Sequence, residues 1–478
     1  MRSLLNPNKT EYGRVVNAVT DLQLDGLVRL VFNDTSRQQK IIDLFNDICL
    51  DKETIEYRQA ILKDLMYNRN IYNTLVKECV FMEKCYAEYD ANKAHRSKAR
   101  VKSEISITDI TMSLRDYAYT FRKLLEIYGR LDGMFMANAP TSLGLKQLAR
   151  SIHKRNNSEG FLKLREKVEK IIESAAAYGY YISINDYLMP EEMKYIIVTG
   201  KYEGEKFSLF KKKEYKGNKV ELNERVNEDS RRIVVDSFNR SIVILEDLFE
   251  TLFDEIGYIV KDFLLYDFGI KLYDIFGERN IDCVFPEIKD HIDYKKVKDP
   301  FLITRYIVEG YTHPVYGNNI QIDKDQSVLV LGTNNTGKTV MLRTIGICQI
   351  FAQTGLFVPA DYACVDIRKD IISIFSGEEK DTNVGGRFEK EVIDIKDIID
   401  EVDNNSLVII NEIFQSTFAE DGEKALFDIL NYFSEIDVKW ITVTHLLGIE
   451  GKRKDFVSKV KTFKTTSKEE KYRIDSIE

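Results

Sequence analysis

The sequence predicts two unlike folds in one chain: a long-helix domain carrying a small β-rich tip, and after it an α/β domain with a mostly parallel sheet. Proline is scarce in the first part: none lies between Pro7 and Pro140, and only Pro190 between Pro140 and Pro286. Long proline-free stretches permit long helices. Two segments there repeat apolar residues in alternating steps of three and four, the spacing of a helix packed lengthwise on partners. From about residue 281, strand-like apolar runs alternate with helical ones, as a parallel sheet with crossover helices requires.

A chain of 478 residues has room for two or three domains. With 44% hydrophobic and 31% charged residues and no polar low-complexity tract, it has the composition of an ordered, soluble protein. Its longest apolar runs, such as Val328 to Leu331, are strand-length, so no membrane span is expected. The opening MRSLLNPNKTEYGR lacks the apolar stretch of a secretion signal. Six cysteines (Cys49, Cys79, Cys85, Cys283, Cys348, Cys364) show no CxxC spacing, and the five histidines are dispersed. That argues against a structural zinc site and for reduced thiols in the cytoplasm. A net charge of -8 denies the chain a global attraction to nucleic acid. Local basic patches would have to supply any such binding.

In chain order, residues 1–158 read as an N-terminal helical domain. The first apolar seam follows it at Phe161, Leu164, Val168, Ile171 and Ala175. The second runs through Phe238, Ile242, Leu245, Phe249, Leu252, Ile256 and Ile259. If residues 228–265 are one helix, it is roughly 55 Å long. Such a seam suits either the core of a helical bundle or a projecting arm. Between the seams, YYISIND (180–186), KYIIVTGKY (194–202) and EKFSLFKKKEYKGNK (205–219) are rich in aromatic and β-branched residues and broken by glycines. They predict a β-rich insertion at about 178–222 between an outgoing and a returning helix. Its last strand carries Lys211, Lys212, Lys213, Lys216 and Lys219, and an earlier run holds Lys93, Arg96, Lys98, Arg100 and Lys102. By composition alone, each run reads as a solvated face. The domain boundary is expected near 280.

The last third carries the chemistry. LVLGTNNTGKT places Gly332, four intervening residues and then Gly337-Lys338-Thr339 between an apolar strand and a helix-compatible run. That is the context of a P-loop, in which glycines let successive N–H groups turn toward phosphate oxygens and the helix N-terminus adds positive charge. Thr333, Asn334, Asn335 and Thr336 complete the loop. Lys338 can neutralise the β- and γ-phosphates, and the Thr339 hydroxyl can serve Mg²⁺. Leu407 to Ile410 form a second buried strand, ending on Asn411 and Glu412 at the edge where such sheets hold their ligands. Glu412 is the candidate to polarise an attacking water. WITVTHLL ends a third strand near Thr444-His445, where an imidazole can stabilise developing phosphate charge.

The order of these motifs resembles the ATPase domain of the MutS family of DNA mismatch-repair proteins, which are ABC-type ATPases. GTNNTGKT (332–339) is similar to that family's G-x-N-x-x-G-K-S/T loop, including Asn334. SLVIINEIFQSTFAEDG (406–422) resembles its strand and dimer-facing tail, with Thr417, Asp421 and Gly422 in the tail. VTH (443–445), GYTHPV (310–315) and FVPA (357–360) resemble the flanking elements. FNDICLDKETIEYRQAILKDL (45–65) is similar to the start of the family's helical core.

The resemblance implies an α/β P-loop ATPase domain of ABC/MutS type at 281–478, preceded at 159–280 by lever helices with a small clamp tip. It also implies ATP and Mg²⁺ as cofactors and a homodimer that encloses DNA, with each phosphate loop facing the other subunit's signature loop. Gly386, Arg387, Phe388 and Glu391, with Thr417 and Asp421, then become interface candidates, and the tip lysines become phosphate-contacting candidates.

Four departures stand out. Nothing before residue 45 resembles the family's mismatch-reading domain, and Phe81-Met82-Glu83 sits in a helix-like run. No nuclease-like module is expected after residue 478. Gly386 stands where a phosphate-contacting Ser is expected, and Asn411 stands where the family has a metal-serving Asp. Asn keeps an acceptor oxygen but loses the charge, so the expectation is a slow ATPase with Thr339 and Asn411 at the metal. The function expected is a DNA-binding ATPase acting as a dimeric clamp in repair or recombination. The alternative is a nucleotide-dependent dimerising scaffold that binds protein partners. A transporter ATPase subunit fits badly, because an LSGGQ-like signature is absent.

Overall fold

Strands with no solvent-facing residues must lie inside a sheet covered on both faces. Ser327–Leu331 and Lys439–Val443 are buried throughout, and Leu407–Asn411 is buried up to Ile410. The computed structural model describes residues 3–8, 11–101, 107–174, 178–184, 190–197, 224–332, 336–375, 384–414, 418–446, 448–465 and 474–477. The chain divides into two compact units.

One unit holds residues 2–69, 140–146 and 261–478. Among its described residues is an eight-stranded sheet in the order Ile474–Ile477, Lys459–Thr465, Gln326–Leu331, Lys439–Val443, Leu407–Asn411, Asp370–Phe375, Tyr12–Val16 and Asp47–Cys49. The six central strands pair in parallel, and the two outer ones antiparallel. On one face, Trp440 packs with Leu426, Leu430, Phe433 and Phe456. On the other lies the helix Lys338–Thr354, buried on nearly every side. This helix meets Phe45 through Phe351 and the sheet through Gly346. A Cβ on Gly346 would stand 2.3 Å from a Leu22 methyl, so a larger residue there would make that side chain shift. A smaller sheet of Glu287–Ile288, Tyr362–Val365, Ile292–Val297 and Asn318–Ile322 completes the unit.

The chain is therefore divided differently from the sequence reading. Residues 2–69 lie in the sheet-bearing unit, not with the helices that follow, and the change of unit in the long helix comes after Val260 rather than near 280. The cause is a strand pairing: Tyr12–Val16 lies parallel to Asp370–Phe375, and Arg14 Nε meets Asp370 Oδ1 at 3.1 Å. Pairing across more than 350 residues leaves no local signature.

The other unit, residues 70–139 and 147–260 among those described, is built from helices. Ile107–Ala137 and Glu159–Ser174 belong to it, as do most of Arg69–Val101 and the first part of Glu224–Gly277. That last helix is longer at both ends than the 228–265 the seam predicted. Its seam residues Ile242, Leu245, Phe249, Leu252, Ile256 and Ile259 are all buried, and Phe249 stacks on Tyr89 with ring centroids 4.2 Å apart. The seam is a bundle core. Charged residues line its margins in pairs, such as Arg96 with Glu246 at 2.8 Å.

Tyr178–Ile184 and Pro190–Ile197 form an antiparallel hairpin. The second strand starts earlier than the run at 194–202 suggested, and Pro190 sits at its end, where a missing N–H costs least. The third predicted strand (205–219), with Lys211, Lys212, Lys213, Lys216 and Lys219, lies outside the described residues. No helix among the described residues is long and apolar enough to cross a membrane. The six cysteines are free thiols.

Candidate nucleotide-binding site

Parallel strands in register bring their C-terminal ends to one edge. Val330 pairs with Val443, and Val443 with Asn411. The residues that follow each strand therefore converge although they are far apart in sequence. After Leu331 the chain passes Gly332 (φ 154°) and enters the helix at Gly337, whose φ of 102° lies where side-chain-bearing residues rarely go. Thr333, Asn334 and Asn335 lie outside the described residues. Thr336 is half-buried at the loop's end.

Lys338 is the hub. Its ammonium donates to the Gly332 carbonyl at 2.8 Å, lies 3.4 Å from Glu412 Oε1, and approaches His445 Nε2 at 3.0 Å. Burial pushes its pKa below the ordinary 10.5, while the Glu412 carboxylate pulls the other way. Glu412 also meets His445 Nε2 at 2.6 Å. Beside this group, the Thr339 hydroxyl donates to Asn411 Oδ1 at 3.4 Å. Loop lysine, strand-end carboxylate and strand-end imidazole thus form one contact group, and the two metal candidates a second one next to it.

The turn after Asn411 is strained. Glu412 (φ 55°) and Phe414 (φ 62°) both adopt the left-handed conformation, each at a cost on the order of 1–2 kcal/mol. Strain of this kind persists only where surroundings over-determine it. Here the Glu412 N–H donates to the Val443 carbonyl at 2.9 Å, and the Phe414 N–H to Glu391 Oε2 at 2.9 Å. Ile413 and Phe414 are buried in the core.

Residues 328–477 match the family model described as MutS domain V. This part of the chain is a MutS domain V. It is 31% identical over 167 residues to Endonuclease MutS2 of Streptococcus thermophilus, covering 34% of this chain and 20% of that protein. It is 26% identical over 240 residues to MutS protein homolog 4 of Homo sapiens, covering 48% of this chain and 24% of the relative. The chain thus spans about a fifth to a quarter of the length of these relatives.

Within the MutS domain V, the signature candidates are divided. Gly386, Arg387 and Phe388 lie on the helix Val384–Glu401, described there by its backbone. Glu391, an interface or signature candidate, is buried in its own chain and holds the Phe414 N–H, because the helix turns it inward against the strand-end turn. Asp421 is exposed in the first turn of Ala419–Glu435, and Thr417 lies outside the described residues. Glu423 carried no sequence signal. Its Oε1 accepts the Gly448 N–H at 2.8 Å and anchors the chain that leaves His445.

Proposed function

We propose that the protein binds ATP at this sheet edge, hydrolyses it slowly, and couples the cycle to DNA as a dimeric clamp. The observation that carries the reading is the convergence of Lys338, Glu412 and His445 at the end of a P-loop strand. Nucleotide phosphates would take over the Lys338 ammonium from the Gly332 carbonyl and Glu412. Glu412, released from that pair, orients the attacking water. His445 steadies Glu412 and the charge that develops on the phosphate. Thr339 and Asn411 offer paired neutral oxygens, a hard donor set that suits Mg²⁺ once phosphates complete it. When bound, Mg²⁺ would neutralise charge on the phosphates. With Asn in place of Asp the ion is held by geometry and not by the protein's charge, hence the slow turnover.

The similarity of residues 328–477 to MutS domain V supports action on DNA, in repair or recombination. The endonuclease named in the MutS2 relatives is not carried over to a chain spanning a fifth of their length. Lys211, Lys212, Lys213, Lys216 and Lys219 are the proposed backbone contacts. Pairing of two chains would place one subunit's Gly386 to Phe388 segment, Thr417 and Asp421 near the other's phosphate loop.

The test is ATP turnover and DNA binding by the purified protein across about 50–200 mM salt. DNA affinity should fall with salt, and Lys211→Ala, Lys212→Ala and Lys213→Ala together should flatten the slope by up to about 3. ATP-dependent dimerisation without DNA binding at the lowest salt would overturn the clamp and favour a nucleotide-dependent scaffold. Absence of turnover with ATP bound would remove the hydrolysis step.

A further inference from the structure

Glu391 stands apart from the side chains that meet at the sheet edge, yet it holds the backbone from which one of them projects. It sits on the helix Val384–Glu401, 7% exposed, and accepts the Phe414 N–H at 2.9 Å. Phe414 is two residues beyond Glu412, and both are left-handed. The turn has a tie on each side: Glu412 N–H to the Val443 carbonyl, and Phe414 N–H to Glu391. The first is a sheet contact that any backbone at this position could make. The second requires one side chain of the right length bearing an acceptor, here a carboxylate, whose charge strengthens the bond.

We infer that Glu391 is a positioning residue for Glu412: it locks the left-handed turn that aims the Glu412 carboxylate at Lys338 and His445. Without the acceptor the Phe414 N–H loses this hydrogen bond, and the turn can relax out of a conformation that non-glycine residues avoid. Glu412 would then move relative to the lysine and imidazole it touches. Displacement by about 1 Å is enough to cost on the order of a hundredfold in a positioned reaction. Phosphate binding depends on the loop amides and Lys338, so nucleotide affinity should hold. The inference rests on the ATPase reading above and deepens it. It also ties the helix bearing Gly386, Arg387 and Phe388 to the hydrolytic carboxylate inside a single chain.

The experiment compares wild type, Glu391→Ala, Glu391→Asp and Glu391→Gln by steady-state ATP hydrolysis and by affinity for a non-hydrolysable ATP analogue. Glu391→Ala should lower kcat by about ten- to a hundredfold, with analogue affinity within about threefold of wild type. Glu391→Gln keeps an acceptor oxygen at the same reach and should recover most of kcat. Glu391→Asp keeps the charge but shortens the arm, should fall with Ala, and replaces Ala in the comparison if the Ala protein does not fold. Unchanged kcat in Ala and Asp, equal loss of kcat and analogue affinity, or a Gln variant as slow as Ala would each overturn the inference. If the wild type binds the analogue but does not hydrolyse ATP, the ATPase reading fails and this inference falls with it. If the wild type hydrolyses ATP and only the variants disagree, the inference fails alone.

Discussion

Glu412 and His445 meet at 2.6 Å across the ends of two neighbouring strands, and the same Glu412 oxygen lies 3.4 Å from Lys338. Asn411 and Val443 are directly paired, so the residues that follow them are neighbours by register. A carboxylate so placed can pass between the lysine and a water without a large movement of the backbone.

Glu412→Gln keeps the size and one acceptor of the side chain and removes its basicity. Hydrolysis should fall by about 10²–10⁴-fold, while ATP remains bound and bound nucleotide stays unhydrolysed. Single-turnover assays with labelled ATP measure both. Turnover equal to wild type would move the catalytic role away from this residue.

Asn411→Asp restores a charge beside Thr339. A unit charge at close range is worth up to about 4 kcal/mol at an effective dielectric near 20, so the Mg²⁺ concentration needed for half-maximal nucleotide binding should drop by on the order of tenfold or more. Titrating Mg²⁺ against a fluorescent ATP analogue reads this directly. An unchanged Mg²⁺ requirement would take Asn411 out of the metal's surroundings.

Asp366 is buried between Arg368 and Lys439, with Lys439 Nζ at 3.0 Å. Burial raises its pKa, but the two cations outweigh it and hold the carboxyl below its ordinary 3.8. Its contribution to stability is therefore complete above pH 3.8 and is lost as pH falls through the lower folded-state value. Asp366→Ala leaves Lys439 buried without its carboxylate and should cost about 3–5 kcal/mol. The chain has one tryptophan, Trp440, fully buried in the same unit, so urea unfolding followed by its fluorescence isolates the effect. The loss from the substitution should shrink in acid below pH 3.8, where the wild-type carboxylate also becomes protonated.

In the helical unit, Phe249→Ala removes a ring that stacks on Tyr89 at 4.2 Å in the seam. The expected cost is about 3–5 kcal/mol, seen as faster amide exchange over the seam at 242–259. Trp440 fluorescence, which reports the other unit, should keep its urea midpoint.

The candidate site's residues were legible because their pattern is local. Gly337, Lys338 and Thr339 are consecutive, and a phosphate loop is a short backbone device whose glycine follows from a φ of 102°. Phe238 to Ile259 were legible as a seam because a helix repeats its contacts at a fixed period; six of the seven seam residues are buried and Phe238 is half-buried. The inward contact of Glu391 was not legible for the opposite reason. Its F-x-x-E spacing points to a motif, but only the approach of a helix to the Phe414 turn decides that it faces inward. Glu423 was missed because its partner, the Gly448 N–H, lies 25 residues away with no pattern joining them.

The amino-acid sequence by itself determined the long helices, the strands that end at Leu331, Asn411 and Val443, and the phosphate-loop pattern with Asn411, Glu412 and His445, since each depends on composition and spacing within a few residues. Tertiary structure alone decided that Tyr12–Val16 belongs to the sheet beside Asp370–Phe375. It also set the left-handed turn at Glu412 and Phe414 that brings one carboxylate to both a lysine and an imidazole. Both outcomes depend on contacts between segments far apart in the chain, which supply the free energy that local preference withholds.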